Sequence, residues 1–117
     1  MPQTPGYFPI RYQSGTQFAQ AWTFLDQNGN AVNISGYTAW ALAFYDSPES
    51  RVVRYASSLF TYAASGSPTQ NVETATATAQ PLAAAGVADF GYYELTAVVS
   101  GGQSPTPLMH GPYVFEP

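Results

Sequence analysis

A chain of 117 residues has the size of one domain and is long enough to bury a core. Charged residues make up only 9%, against about a quarter in ordinary globular chains, while aromatics reach 15%; there is no Lys, and Arg11, Arg51 and Arg54 are the only strong bases. A net charge of −4 with three scattered arginines argues against binding a phosphate backbone, and the absence of Cys excludes disulfides, thiolate catalysis and Cys-ligated zinc.

Solubility must then rest on Ser, Thr, Gln, Asn and backbone. A surface poor in charge and rich in Tyr has the composition of a protein interface rather than of a freely diffusing domain. The N-terminus, MPQTPGYFPI, carries neither a basic region nor a continuous apolar stretch, so it does not read as a secretory signal. No apolar run approaches the roughly 20 residues that span a bilayer, so no membrane partner is expected.

In chain order, residues 1–10 are expected as an N-terminal arm and edge segment, and 11–117 as a single domain. The prolines of MPQTPG favour an extended arm, and Tyr7–Tyr12 reads as a strand that Pro9 confines to a sheet edge. From Gln17 to Asp26 the pattern alternates: Phe18, Trp22 and Phe24 share one parity, the signature of a half-buried strand. Gln27-Asn28-Gly29-Asn30 then predicts a tight hairpin, with Ala31–Ile34 as its returning strand. Ser35-Gly36-Tyr37 turns the chain. There Gly supplies turn conformations barred to β-branched residues, and Tyr37 offers a ring to cap the sandwich edge and a hydroxyl in need of a partner.

Thr38–Tyr45 repeats the alternation, with Trp40, Leu42 and Phe44 on one face and Ala39, Ala41 and Ala43 on the other. Arg51–Ala56 predicts a further strand, whereas 57–70 mixes an apolar island (Leu59, Phe60, Tyr62) with a Ser/Gly/Pro loop. The β-branched threonines of NVETATATAQ favour a strand over 71–80. Pro81–Gly86 has the Pro-first, Gly-last form of a single helical turn. Gly91–Ser100 places Tyr93, Leu95, Ala97 and Val99 on one face, a Gly-Gly hairpin loop follows, and Pro107–Phe115 closes the domain. About seven to eight short strands punctuated by turns predict an all-β fold, an antiparallel immunoglobulin-like β-sandwich.

Chemistry is harder to find. His110 is the only histidine, and a His beside Gly-Pro in a strand reads as structural or surface rather than as a base or zinc ligand. The acids Asp26, Asp46, Glu49, Glu73, Asp89, Glu94 and Glu116 are spread along the chain and read as solvated loop edges rather than a glycosidase pair. No calcium loop, G-x-S-x-G elbow or phosphate-cradling glycine cluster occurs. No catalytic residue, metal or cofactor is therefore expected, and the chain reads as a non-enzyme. A sugar-binding module with exposed Tyr and Trp is the alternative, although Trp22 and Trp40 fall on core parities.

The run SGTQFAQAWTFLDQNGNAVNISGYTAWALAF resembles a recurring pattern of tailed-phage virion proteins, in which a Gly-Asp/Thr-x-Phe strand precedes a D-x-x-G-x-x-hydrophobic hairpin and a Ser-Gly-Tyr-Thr corner. Gly15, Thr16 and Phe18 match its opening, Asp26, Gly29 and Val32 the hairpin, and Ile34–Thr38 the corner. In the second half, GYYELTAV and PLMHGPYVFEP are similar to its last two strands. The strand at 38–45 departs from the pattern in lacking arginines. The family includes the N-terminal domain of baseplate upper proteins and small decoration and adaptor proteins with an Ig-like domain.

The resemblance implies a non-enzymatic structural protein of the bacteriophage virion, assembled in the host cytoplasm. Its partners would be other capsid or tail subunits, and it would form homo-oligomers, of which trimers are common at such sites. A capsid decoration or cement protein, or a small head or tail adaptor, is favoured over a receptor-binding device, because the chain ends at its last expected strand with no room for a receptor-binding head or trimeric stalk; a baseplate or tail component comes close behind. Tyr7, Phe8, Ile10, Leu59, Phe60 and Tyr62 are the candidate subunit contacts, being apolar residues in the segments with the weakest claim on a core.

Overall fold

Alternating aromatics bury one face of a strand and expose the other, so two such sheets must pack face to face. A computed structural model describes residues 6–25, 28–29, 32–34, 36–65, 74–79, 81–99 and 101–117, and it is an all-β sandwich. The expected arm residues 1–5, parts of the hairpin at 26–31, Ser35, the loop 66–70, and residues 71–73, 80 and 100 lie outside the described residues.

Nine strands are assigned among the described residues: β1 (Gly6–Tyr7), β2 (Ile10–Gln13), β3 (Phe18–Thr23), β4 (Thr38–Tyr45), β5 (Val53–Tyr55), β6 (Thr61–Ser65), β7 (Thr74–Ala79), β8 (Asp89–Val98) and β9 (Thr106–Glu116). The larger sheet runs β1-β9-β8-β4-β5, with β2 continuing the β1 edge along β9; the smaller runs β3-β7-β6. All pairings are antiparallel except those of β1 and β2, which run parallel to β9. The parallel pairings of β1 and β2 are an addition to the antiparallel sandwich expected, since residue alternation carries no information about strand direction.

Phe44 sits at the centre of the core, fully buried, with the rings of Tyr113 (4.8 Å), Phe60 (5.6 Å), Phe18 (5.9 Å), Tyr55 (5.9 Å) and Tyr93 (6.0 Å) around it. Edge-to-face and tilted pairs of this kind add about 0.5–1.5 kcal/mol each beyond area burial. Trp22 is buried, as its parity predicted, and Trp40 is half-buried, between Phe24 and Tyr37.

Several expectations change in detail. Of the expected returning strand 31–34, the described residues 32–34 form no strand; the Val32 N–H donates to the Phe24 carbonyl (2.9 Å), and the Tyr37 N–H closes the next turn on the Ile34 carbonyl (3.0 Å). The apolar island at 57–62 divides into a 3-10 turn (Ser57–Leu59), buried Phe60 and the start of β6. Pro81–Gly86 is not a helical turn. Its backbone groups are engaged elsewhere: the Leu82 and Ala83 N–H groups donate to the Tyr12 hydroxyl (3.1 and 3.3 Å), and the Ala83 carbonyl accepts from the Gly15 N–H (2.7 Å). The Tyr12 hydroxyl in turn donates to the Thr16 carbonyl.

Pro9 interrupts the edge, as its missing N–H predicted, but a second proline matters as much. The parallel register sets Tyr7 opposite His110 and Ile10 opposite Tyr113, so the break at Phe8–Pro9 lies beside Gly111–Pro112. The Phe8 N–H donates to the His110 carbonyl (2.9 Å). In a parallel ladder the Phe8 carbonyl would next accept from residue 112, and proline has nothing to donate. The Tyr93 hydroxyl reaches across from β8 and donates to that carbonyl instead, while accepting from Trp22 Nε1 of the opposite sheet (3.2 Å). Gly111 makes the approach possible, because a Cβ there would lie 2.6 Å from the Phe8 oxygen.

Tyr93→Phe would strip the Phe8 carbonyl and the Trp22 N–H of one shared partner. Losing a buried partner costs about 1–3 kcal/mol, and urea denaturation should show a loss in that range. A Trp22→Phe, Tyr93→Phe double mutant should lose less than the sum of the two single variants, because both remove the same bond.

Candidate subunit-contact surface

The six candidate contacts do not form one patch. Tyr7 (68% exposed) and Phe8 (41%) lie at the β1 edge of the larger sheet, whereas Leu59 (54%) lies in the turn after β5, the opposite edge of that sheet. Ile10 and Phe60 are corrected: both are buried in the chain's own core, where Phe60 stacks on Phe44. Pro9 ends only the local ladder, so β2 re-enters the sheet and turns Ile10 inward. Tyr62 is half-buried, and its hydroxyl accepts from the Leu42 N–H (2.8 Å) and donates to the Ser57 carbonyl (3.1 Å). β5 pairs with β4 only at Phe44 and Tyr45, so this hydroxyl serves β4 where β5 does not reach.

The residues missed by sequence reading are the outward-facing ones of the larger sheet. Phe90 stands 74% exposed opposite Val114 (40%), and Val53 (51%) lies opposite Tyr45. Across the strands a row of rings runs from Tyr7 to His110 (5.8 Å), His110 to Tyr92 (6.0 Å) and Tyr92 to Tyr45 (6.3 Å), ending with the Arg51 guanidinium 4.5 Å over the Tyr45 ring. The signal was present in DFGYYEL: aromatics on both parities of one strand cannot all face the core.

Each arginine is spent on a carboxylate: Arg11 on Glu116 (2.8 Å), Arg51 on Glu94 (3.1 Å) and Arg54 on Asp89. Exposed pairs of this sort add little stability. Their consequence is a surface on which every side-chain cation is neutralised by a neighbour. Asp89 also accepts from the Tyr55 and Tyr113 hydroxyls (3.3 Å each), which fastens β5 and β9 to the start of β8. Asp46 closes the loop after β4 by accepting from Ser50 and from the Ser47 and Val52 N–H groups; the Ser50 hydroxyl is the main reason its carboxyl sits below the ordinary 3.8.

Burial pushes the Tyr93 and Tyr113 hydroxyls well above the ordinary value of 10, with Asp89 adding to the rise at Tyr113. His110 lies in the outer row opposite Glu94 in register. Among the described residues, no group of three or more His, Asp or Glu is gathered to hold a metal ion. Comparison with known protein families, curated proteins and solved structures finds no match to this chain. Fold and surface thus define a β-sandwich with a lightly charged, aromatic outer sheet face.

The raised tyrosine pKa values fix the alkaline limit of the fold. A group with its folded pKa above the unfolded one contributes stability that is intact below the unfolded value and fades as pH climbs toward the folded one. Stability should therefore hold to about pH 10 and fall beyond it. Tyrosinate absorbance should show a late-ionising class that appears together with loss of near-ultraviolet circular dichroism; normal titration of all nine tyrosines in a folded chain would contradict this.

Proposed function

We propose that the chain is a non-enzymatic structural subunit of a bacteriophage virion that packs against other virion proteins. A capsid decoration or cement protein, or a head or tail adaptor, comes ahead of a baseplate component. One observation carries the reading: the larger sheet exposes Phe90 with its register partner Val114, Val53 on the β5 edge and Tyr7 on the β1 edge, while its arginines are already paired. Interface cores have this composition, depleted in charge and enriched in aromatics. The sequence pattern around Gly15–Thr38 supports the virion setting by resemblance.

The ring row Tyr7–His110–Tyr92–Tyr45 favours a second reading, a carbohydrate-binding module, because aromatic rings stack on sugars without charge. Against it, the rings pack on one another, Arg51 occupies a face of Tyr45, and Trp22 is in the core.

Quantitative mass spectrometry of purified particles tests the first reading. Hundreds of copies per particle indicate a capsid decoration and a dozen or fewer a tail position; absence from particles sinks the proposal. Phe90→Asp with Tyr7→Asp, both at exposed sites, should reduce incorporation about tenfold or more, the effect of about 1.4 kcal/mol of lost contact, without changing the thermal midpoint. A glycan array should show no saccharide preference; a selective hit abolished by Tyr92→Ala would favour the second reading.

A further inference from the structure

The strand edges of the two sheets are not equally protected. Proteins blunt edges with short strands, charge or proline, because a bare edge is a template for another chain. In the larger sheet, β5 is three residues long and carries Arg54, and the β1–β2 edge is broken at Pro9. β3, six residues reading FAQAWT, has neither charge nor proline, and among the described residues it pairs on one side only, with β7. Alternate residues of such a strand aim their N–H and C=O groups away from the partner. The Ala21 carbonyl accepts from a side chain, the Gln20 amide (2.7 Å), a partner that an incoming backbone can replace.

A second observation lies at the end of the same strand. A half-open groove of about 260 Å3 separates the two sheets there, lined by Tyr7 and Phe8 of the β1 edge, Leu108 and Met109 of β9, and Phe24 and Leu25 just beyond β3. Leu25 is 57% exposed at its rim. The volume falls below the roughly 300–1,000 Å3 of small-molecule sites, so the groove is scaled to side chains. A strand edge unpaired among the described residues and a groove that Phe24, Leu25, Leu108 and Met109 help to line are together the two halves of strand addition, in which main-chain bonds give affinity and pockets for alternate side chains give specificity.

We infer that β3 is an acceptor edge for an extended segment of another protein chain, which pairs with β3 and places a large apolar side chain in the groove between Leu25 and Met109. The inference deepens the assembly reading above and rests on it. Hydrogen-bond complementarity identifies the occupant, since only a second extended backbone offers donors and acceptors at the repeat of a strand edge.

The probes are synthetic eight-residue peptides in which Leu alternates with Thr, compared with shuffled peptides of the same composition and with copies N-methylated at every second residue in either register. The alternating peptide should bind the purified full chain. Shuffling should weaken binding at least tenfold, as should N-methylation in one of the two registers. Leu25→Asp, at an exposed rim position, should weaken it comparably with the thermal midpoint unchanged, and Ala63→Lys on the β6 edge should have no effect. The inference is overturned if binding ignores N-methylation in both registers, if Ala63→Lys rather than Leu25→Asp abolishes it, or if no peptide binds. A chain found in particles that binds no peptide defeats this inference alone, whereas absence from particles defeats the assembly reading.

Discussion

Three tyrosine hydroxyls hold this sandwich together where its strands fail to. A backbone N–H or C=O left without a partner away from water costs about as much as a lost hydrogen bond, and this chain creates such orphans at Pro112, beyond the short β5, and in the loop between β7 and β8. Tyr93 takes the Phe8 carbonyl that Pro112 cannot serve, Tyr62 takes the Leu42 N–H, and Tyr12 takes the Leu82 and Ala83 N–H groups. Each hydroxyl sits on a ring that also fills or borders the core, so one residue type both packs apolar surface and completes the ladder. Ser14 and Gln13 add two more such links, to the Val87 and Pro117 carbonyls (2.6 and 2.8 Å).

The same economy shapes the surface. Inward-facing rings gather around Phe44, and the outward parity of the same strands leaves Tyr92, Tyr45, His110 and Phe90 on the far side of the sheet. With the three arginines bound to Glu116, Glu94 and Asp89, that face offers aromatic and aliphatic area with little charge to keep neighbours away. The interruption at Phe8–Pro9 contributes too, because it brings Phe8 to the mouth of the groove beside β3.

The candidate contacts show where reading a sequence for exposure succeeds and where it fails. Tyr7, Phe8 and Leu59 are exposed. Ile10 and Phe60 fall in the segments with the weakest claim on a core, yet both plug the core of this chain. Nothing in YFPIRY distinguishes an Ile that re-enters a sheet after a proline from one that stays outside.

Alternation alone determined the strands β3, β4 and β8, their inward faces and the all-β class, because period-two burial is a local property of the chain. The Asn28-Gly29 turn and the edge position of Pro9 were legible for the same reason: each follows from what one residue's backbone permits. Only the tertiary structure decided that β1 and β2 run parallel to β9, that 81–86 opens into a loop, and which tyrosines serve distant backbone. Those features depend on groups as far apart as Phe8 and Tyr93, or Tyr12 and Leu82, and hydrogen bonds between residues 70 or more positions apart leave no periodic trace in either segment.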